Sequence, residues 1–297
     1  MDLDRLILGS NPLYGVDHFS SQRARERSLQ LKSDRIFGVV KASLSAGATG
    51  FNFSPHPIIY DILGELKEEG YGHNLGLYPM LPNAQTYITA QLNSGTVGMA
   101  KLLLRNLGVA AGARAIVYGG LSWLTTDPVR AMRLYIDIEI TKLTDIAPSN
   151  AKIRVVLAHE VLSDLILALK MEEILRIYIE HLHDKHGLQA GFVTRNFPRF
   201  VQFCEESNLP LKDFALMTPF NRIGFQMTPN RESCEQTLEK LRGENVIGMS
   251  ALAGGQLELG EAIEYLSPLK LKSLCVGVST QTHAKETFQK LSQEFAT

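Results

Sequence analysis

Cysteine is scarce in this chain: Cys204, Cys234 and Cys275 are the three found among 297 residues. They are too few and too scattered for a disulfide framework or a Cys-x-x-Cys metal site, and they read as reduced thiols of a cytoplasmic protein. Long apolar runs are missing as well. No stretch approaches the ~18 apolar residues that a membrane span needs, and the opening Met1-Asp-Leu-Asp4 has no basic segment ahead of an apolar one, so neither a span nor a signal peptide is expected. Excess charge of one sign is also absent. Lys plus Arg total 30 against 31 acidic residues, a formal net charge of -1, which gives nucleic acid or an anionic membrane no general attraction. A small-molecule substrate is the partner these exclusions leave, and composition does not fix the oligomeric state.

No low-complexity linker rich in Pro, Gly and Ser divides the sequence, and its length suits a single barrel domain over residues 1–297. What is present is alternation. Short apolar runs at 6–8, 49–53, 75–81, 115–118, 153–158, 191–194, 214–217, 246–249 and 274–278 are separated by longer helical patterns, the pattern of βαβ units on a parallel sheet. A (β/α)8 TIM barrel needs eight strands and this reading gives nine, so it carries one surplus strand or βα insertion. Helices are expected over 35–45, after Ser33-Asp34 and stopped by Gly47; over about 128–146, opened by Asp127-Pro128; and over 171–186, stopped by Gly187. Segment 83–112 is the least regular, with Gly95, Gly98 and Gly108 inside a helical pattern, each costing about 1 kcal/mol relative to Ala within a helix.

The last two strand-to-helix units, Val246-Ile-Gly-Met-Ser-Ala-Leu-Ala-Gly-Gly255 and Leu274-Cys-Val-Gly-Val-Ser-Thr280, end in small residues where barrels often hold phosphate. Backbone N–H groups of Gly254 and Gly255 can approach an anion closely because no Cβ intervenes, and a following helix would point its positive end there. Side chains at the other strand ends supply the chemistry. They include Asn11, Asn52 to His56, Tyr78, Tyr118, His159-Glu160, Thr194 to Asn196, Thr218 to Asn221, Ser250 and Ser279.

His159 is the leading candidate because it follows the cleanest strand, and an imidazole there can serve as general acid or base near pH 7 or simply satisfy a backbone group. Glu160, its neighbour, should point the opposite way on extended backbone and read as a helix-start carboxylate. His56 lies in a loop stiffened by Pro55 and Pro57, and Tyr60 at the start of the next helix can donate a proton or pack. His56, His159 and Glu160 have ligand chemistry for zinc or iron, yet three residues from distant strands make no metal motif, and no metal is expected. His181, His183 and His186 read as a solvated helix end.

Several segments resemble the aldo/keto reductase superfamily, (β/α)8 barrels that use a nicotinamide cofactor. Ala46-Gly-Ala-Thr-Gly-Phe-Asn-Phe53 with Tyr60-Asp-Ile-Leu-Gly-Glu-Leu66 resembles the family's second strand and helix. His159, residues 171–186 and Gly191-Phe-Val-Thr-Arg-Asn-Phe197 resemble the catalytic-histidine strand, its helix and the Gly-x-Ser-Asn-Phe strand end. Residues 246–255 and Gly277-Val-Ser-Thr280 resemble the last two strands and their phosphate loops. The resemblance spans most of the chain and is loosest between Gly70 and Asn150. It implies NADP or NAD as cofactor, with phosphates on Ser250, Leu252, Ser279 and Lys285 and the carboxamide on Thr194 and Asn196. Departures from the family are equally clear. Of its Asp, Tyr, Lys and His, only the His has a counterpart, His159; Ser54-Pro-His56 stands where an Asp belongs, Tyr60 is one residue out of register, Tyr78-Pro-Met80 and Tyr118-Gly-Gly120 contain no Lys, and Met249 replaces a stacking aromatic.

Three functions are therefore open. One is a divergent aldo/keto reductase-like oxidoreductase acting on a small carbonyl or alcohol with His159, helped by Tyr60 or His56, as proton donor. The second is a non-redox isomerase, lyase or hydrolase whose Ser250, Gly254, Gly255 and Ser279 grip an anionic small molecule. The third is a catalytically silent ligand-binding barrel.

Overall fold

The computed structural model describes residues 1–14, 33–82, 128–269 and 271–295. Nine strands make up one sheet: β1 Leu6–Gly9, β2 Gly50–Phe53, β3 Gly76–Leu81, β4 Lys152–Ile153, β5 Val155–Ala158, β6 Gln189–Val193, β7 Phe214–Pro219, β8 Val246–Met249 and β9 Ser273–Gly277. All pairings are parallel, and β1 bonds both β2 and β9 while β2 bonds β3, so the sheet closes on itself. This is the expected (β/α)8 TIM barrel. The surplus in the expected strand count resolves in the described residues. β3 pairs with β2 on one edge and with β4 and β5 on the other, so the ring is complete without residues 115–118, which lie outside the described residues together with Tyr118, Asp127 and the glycines of 83–112.

β4 and β5 are two parts of one stave. Gly76 and Leu77 face Lys152 and Ile153, whereas Met80 and Leu81 face Leu157 and Ala158, which leaves one extra residue on the β4–β5 side. That is a bulge, and it sits beside Pro79, whose missing N–H cannot serve a regular ladder. The bulge re-phases the stave, so Ile153 joins the outer core, Val155 the inner one, and Arg154 reaches Asp4 under the barrel at 3.6 Å.

Helices α1 Ser33–Ser45, α2 Pro57–Glu68, α3 Pro128–Ile146, α4 Glu160–Leu169, α5 Glu172–His186, α6 Phe197–Glu206, α7 Arg231–Lys240, α8 Leu259–Leu266 and α9 Gln281–Glu294 follow the strands. Their ends obey ordinary capping chemistry. Asn230 and Thr280 accept backbone N–H bonds at the starts of α7 and α9, Glu258 and Glu261 form a reciprocal box on α8, and Gly187 ends α5 in the left-handed region at φ 63°. The three helices expected from the sequence occur within two residues of their expected starts.

Because every strand is covered on both faces, the runs read as almost continuously apolar, and two cores result. Leu6, Leu8, Val156, Phe192, Phe214, Leu216, Leu274 and Val276 point outward to the helices; Ile7, Val155, Leu157, Val193, Ala215, Met217, Ile247 and Cys275 point to the axis. Burial raises the thiol pKa of Cys204 and Cys275 to about 12 and that of Cys234 to about 11, so all three stay protonated packing groups, as free cysteines.

The lower end of the axis is polar. Tyr78 lies on the axis but directs its hydroxyl downward, donating to Asp4 Oδ2 at 2.8 Å and accepting from the Asp4 N–H at 2.7 Å. Gly76 makes the room: a Cβ there would meet Asp4 Oδ2 at 1.8 Å. Tyr78 is thus removed from the set of strand-end candidates. Burial, opposed by the bonds from Tyr78 and Thr49, raises the Asp4 carboxyl above its ordinary range.

Tyr78→Phe removes one donor from the buried Asp4 carboxylate and the acceptor of the Asp4 N–H, and should cost about 1–3 kcal/mol of unfolding free energy. Urea unfolding at pH 7 measures it; a loss below ~0.5 kcal/mol would mean that water replaces the hydroxyl at no cost.

Candidate functional site

The upper end of the barrel opens into a pocket of about 470 Å3, within the range of small-molecule and cofactor sites. Its floor is apolar, formed by Met80, Val193, Met217, Met249 and Cys275 from the inward positions of five strands. Polar groups stand at two sides. His159, Glu160 and Arg195 rise from the ends of β5 and β6; Ser250 to Gly255 and Ser279, His283 and Thr287 belong to the loops and helix after β8 and β9. In the ring β9 is four strands from β5, so the two groups face each other across the mouth.

His159 is the N-cap of α4, and its Nδ1 accepts the Val161 N–H at 3.2 Å. That bond commits Nδ1 as an acceptor and leaves the single proton of the neutral ring on Nε2. Burial, with a smaller contribution from Arg195 and against the pull of Glu160, holds the imidazole below its ordinary 6.5. Near pH 7 the imidazole is neutral and presents Nε2–H as a donor, while Nδ1 satisfies a backbone group, one of the two roles the sequence left open.

Glu160 is the helix-start carboxylate expected, but its expected direction is corrected. The helix begins immediately after His159, so strand alternation no longer applies, and the Glu160 side chain lines the same pocket as its neighbour. Arg195 grips it in bidentate fashion, Nε to Oε2 at 3.1 Å and Nη2 to Oε1 at 2.5 Å. Along β6, Val193 faces the axis, so Arg195 does too, while Thr194 turns outward.

Thr194 and Asn196 consequently do not line the pocket. Thr194 is fully buried, donates to Asp164 Oδ1 of α4 at 2.6 Å and accepts the Asn196 N–H at 3.1 Å, so its hydroxyl ties the strand end to the neighbouring helix. Tyr60 and His56 are outside the pocket as well. The Tyr60 hydroxyl donates to Glu139 of α3, with Lys142 stacked 3.8 Å from the ring centroid, so it belongs to the helical layer. His56 is a second capping histidine, with Nδ1 accepting from Ile58 N–H at 3.3 Å at the start of α2. The helix that starts there follows the same rule as α4, but its histidine does not reach the mouth.

Ser250, Leu252, Gly254, Gly255 and Ser279 all line the pocket. Ala253, Gly254 and Gly255 have φ of 47°, 69° and 90°, a left-handed run that turns the loop sharply. The Gly255 N–H is spent on Leu252 O at 2.8 Å. Gly254 N–H and the hydroxyls of Ser250 and Ser279 bond no group among the described residues. Lys285 is on the wrong face of α9: it lies about 200° round the helix from His283, exposed, whereas His283 and its i+4 neighbour Thr287 face the pocket.

In the loop after β7 the sequence reading reached Asn221 but missed Phe225 and Gln226. Asn221, fully buried, accepts the Phe225 N–H at 2.7 Å and donates to Phe225 O at 2.8 Å, which presents Phe225 and Gln226 to the pocket. Phe225 thus joins Met249 among the lining residues. Among the described lining residues there is neither a Tyr nor a Lys.

A scan of protein-family models finds no match, and a search of curated proteins finds none either. Solved structures do match. A Pseudomonas aeruginosa protein described as an aldo-keto reductase aligns over 99% of this chain and 96% of its own at TM-score 0.56 and 14% identity. An aldo-keto reductase of Bacillus halodurans in its holo form aligns over 98% and 91% at TM-score 0.55 and 12% identity. One from a Medee basin deep-sea metagenome aligns over 100% and 91% at TM-score 0.52 and 13% identity. The chain shares the fold of the aldo-keto reductases along nearly its whole length, as the sequence resemblance implied.

The depressed imidazole has a consequence for stability. Between its folded value and about 6.5 the unfolded chain binds a proton that the folded chain refuses, so acid favours unfolding. His159→Gln should lose a cap worth about 1 kcal/mol at pH 8, and its deficit relative to wild type should shrink as pH falls below 6.5. Parallel urea titrations at pH 8 and pH 5 test this; a constant deficit would show that His159 is not held neutral by the fold.

Proposed function

We propose that the chain is a divergent aldo-keto reductase-like oxidoreductase that holds a nicotinamide dinucleotide in the upper pocket and acts on a small carbonyl or alcohol. One observation carries the reading: His159 and the anion-side donors Ser250, Gly254 and Ser279 open into the same pocket at the strand ends of an aldo-keto reductase fold. The described residues fit such a cofactor at both ends. Phosphate oxygens would meet Gly254 N–H, the two serine hydroxyls and the N-terminal end of α9, and a flat ring would find Phe225 and Met249.

When bound, the cofactor supplies or accepts the hydride. His159 would then offer its Nε2–H to the substrate oxygen and stabilise the negative charge growing there, and the alkoxide would take its proton from solvent water, or the alcohol lose it there in the reverse direction. Glu160 fixes the Arg195 guanidinium at the pocket wall, where it orients a polar substrate group. Tyr60 and His56 have no part in this chemistry, and neither do Thr194, Asn196 and Lys285.

A second reading is favoured by one observation. The expected carboxamide pair, Thr194 and Asn196, is absent from the pocket wall, as a non-redox enzyme on an anionic small molecule would allow. Thermal shift separates the two. At a hundredfold excess over Kd, NADPH or NADH should raise the melting temperature by about 5 °C, and Ser250→Glu, which sets a carboxylate among the phosphate donors, should abolish the rise. No response to either nucleotide alongside a response to inorganic phosphate would replace the first reading with the second.

A further inference from the structure

Three ligand-type side chains meet far from the upper pocket, between α3 and α5. His181 Nε2 lies 2.8 Å and His186 Nε2 2.7 Å from the same Asp137 Oδ1, and the ligand atoms of the three residues all fall within 4.8 Å of one another. The sequence reading of a solvated helix end is wrong for two of its three histidines. The side chains of His181 and His186 are 9% and 14% exposed, and only His183, at 72%, projects into water, paired with Asp184. His181 and His186 are five residues apart and would diverge on a long helix, but His186 is the last residue of α5 before Gly187, and Asp137 on the facing helix draws both rings to one point.

We propose that Asp137, His181 and His186 form a binding site for a divalent transition-metal ion, zinc foremost. Two imidazole nitrogens and one carboxylate oxygen are the donor set that zinc takes with three protein ligands and an open fourth position. Zinc at about 2.0–2.1 Å from each donor holds them roughly 3.3 Å apart. The two histidine nitrogens stand slightly closer than that to the carboxylate oxygen, so a shift of about half an ångström admits the ion. Each imidazole turns its Nε2 lone pair to the metal and keeps its proton on Nδ1.

Two neighbouring features complete the site. Lys185 Nζ lies 2.5 Å from Asp137 Oδ2, which leaves Oδ1 for the ion and locks the carboxylate, the outer-shell support that ligating carboxylates receive in metal sites. His186 and Lys185 also line a second cavity of about 580 Å3, so open space adjoins the cluster on its His186 side. None of these residues lines the upper pocket. The ion would clamp α3 to α5.

The untagged full chain, stripped with a chelator, tests this by titration with Co2+ and Zn2+. One equivalent of Co2+ should give the visible d–d bands of a four-coordinate ion, and Zn2+ should bleach them. His181→Gln and His186→Gln should each weaken binding by more than ~10-fold, the loss that even outer-shell changes cause; His183→Ala, on the same helix, should leave it unchanged. Absence of Co2+ and Zn2+ binding to the wild type overturns the proposal, and so does unchanged affinity in the folded Gln variants. Should those variants fail to fold, X-ray absorption of the zinc-loaded wild type decides: scattering from two imidazoles supports the site, and an oxygen-only shell overturns it.

Discussion

Closure of eight parallel strands into a ring restricts every strand residue to two directions, axis or helix layer, and the whole site depends on that restriction. Because Val193 fills the axis, Thr194 must turn out and Arg195 must turn in. The same rule sends Met80, Met217, Met249 and Cys275 to the pocket floor. It is broken once, at the bulge opposite Pro79, where Arg154 and Val155 follow each other toward the axis and Arg154 reaches the Asp4–Tyr78 plug. A regular stave would leave that polar plug without its guanidinium.

Where strands end, a different economy takes over. Each βα junction must satisfy the first N–H groups of the coming helix, and this chain twice does so with a histidine. His56 and His159 both place Nδ1 on the N–H two residues on. Burial holds both rings below their ordinary value. The pair shows that capping is the role any such histidine fills, and that a place on the pocket wall is what His159 adds. With Nδ1 occupied, the neutral ring can present only a donor to the pocket.

The sequence disclosed the barrel because periodicity and small-residue strand ends are local signals; eight of nine apolar runs are barrel strands. It disclosed the loops on that side of the pocket for the same reason, since residues 246–255 and 277–280 are contiguous. It misplaced Thr194, Asn196, Tyr60, His56 and Lys285 because the direction of a side chain depends on phase. The phase of β6 could have been read from its apolar neighbours, and that of α9 from the helical spacing of His283 and Thr287. Glu160 was hidden by a boundary: alternation predicts it outward unless the helix is known to start one residue after the strand. The meeting of His181 and His186 at Asp137 was not legible at all, because it rests on the packing of α3 against α5.

Charge at the upper pocket is arranged in a way that bears on what the site selects. Glu160 and Arg195 are the sole formally charged residues among its described lining, apart from the two histidines, and they cancel each other across a bidentate contact. Such a wall exerts little long-range field, so a charged ligand gains little attraction before it enters. Recognition falls to short contacts inside: a Gly254 N–H, two serine hydroxyls, a neutral His159 donor and an apolar floor. Donors of this kind act best when water is excluded and the partner oxygen carries charge, since the low local dielectric strengthens each bond. On the proposed function, such a pocket would favour an anionic group at one end and a polarisable oxygen at the other, joined by a body that rests on Met80, Met217, Met249 and Phe225. The same preference is built into the backbone, for the left-handed turn at Ala253 to Gly255 leaves the Gly254 N–H outside the loop's own hydrogen bonds.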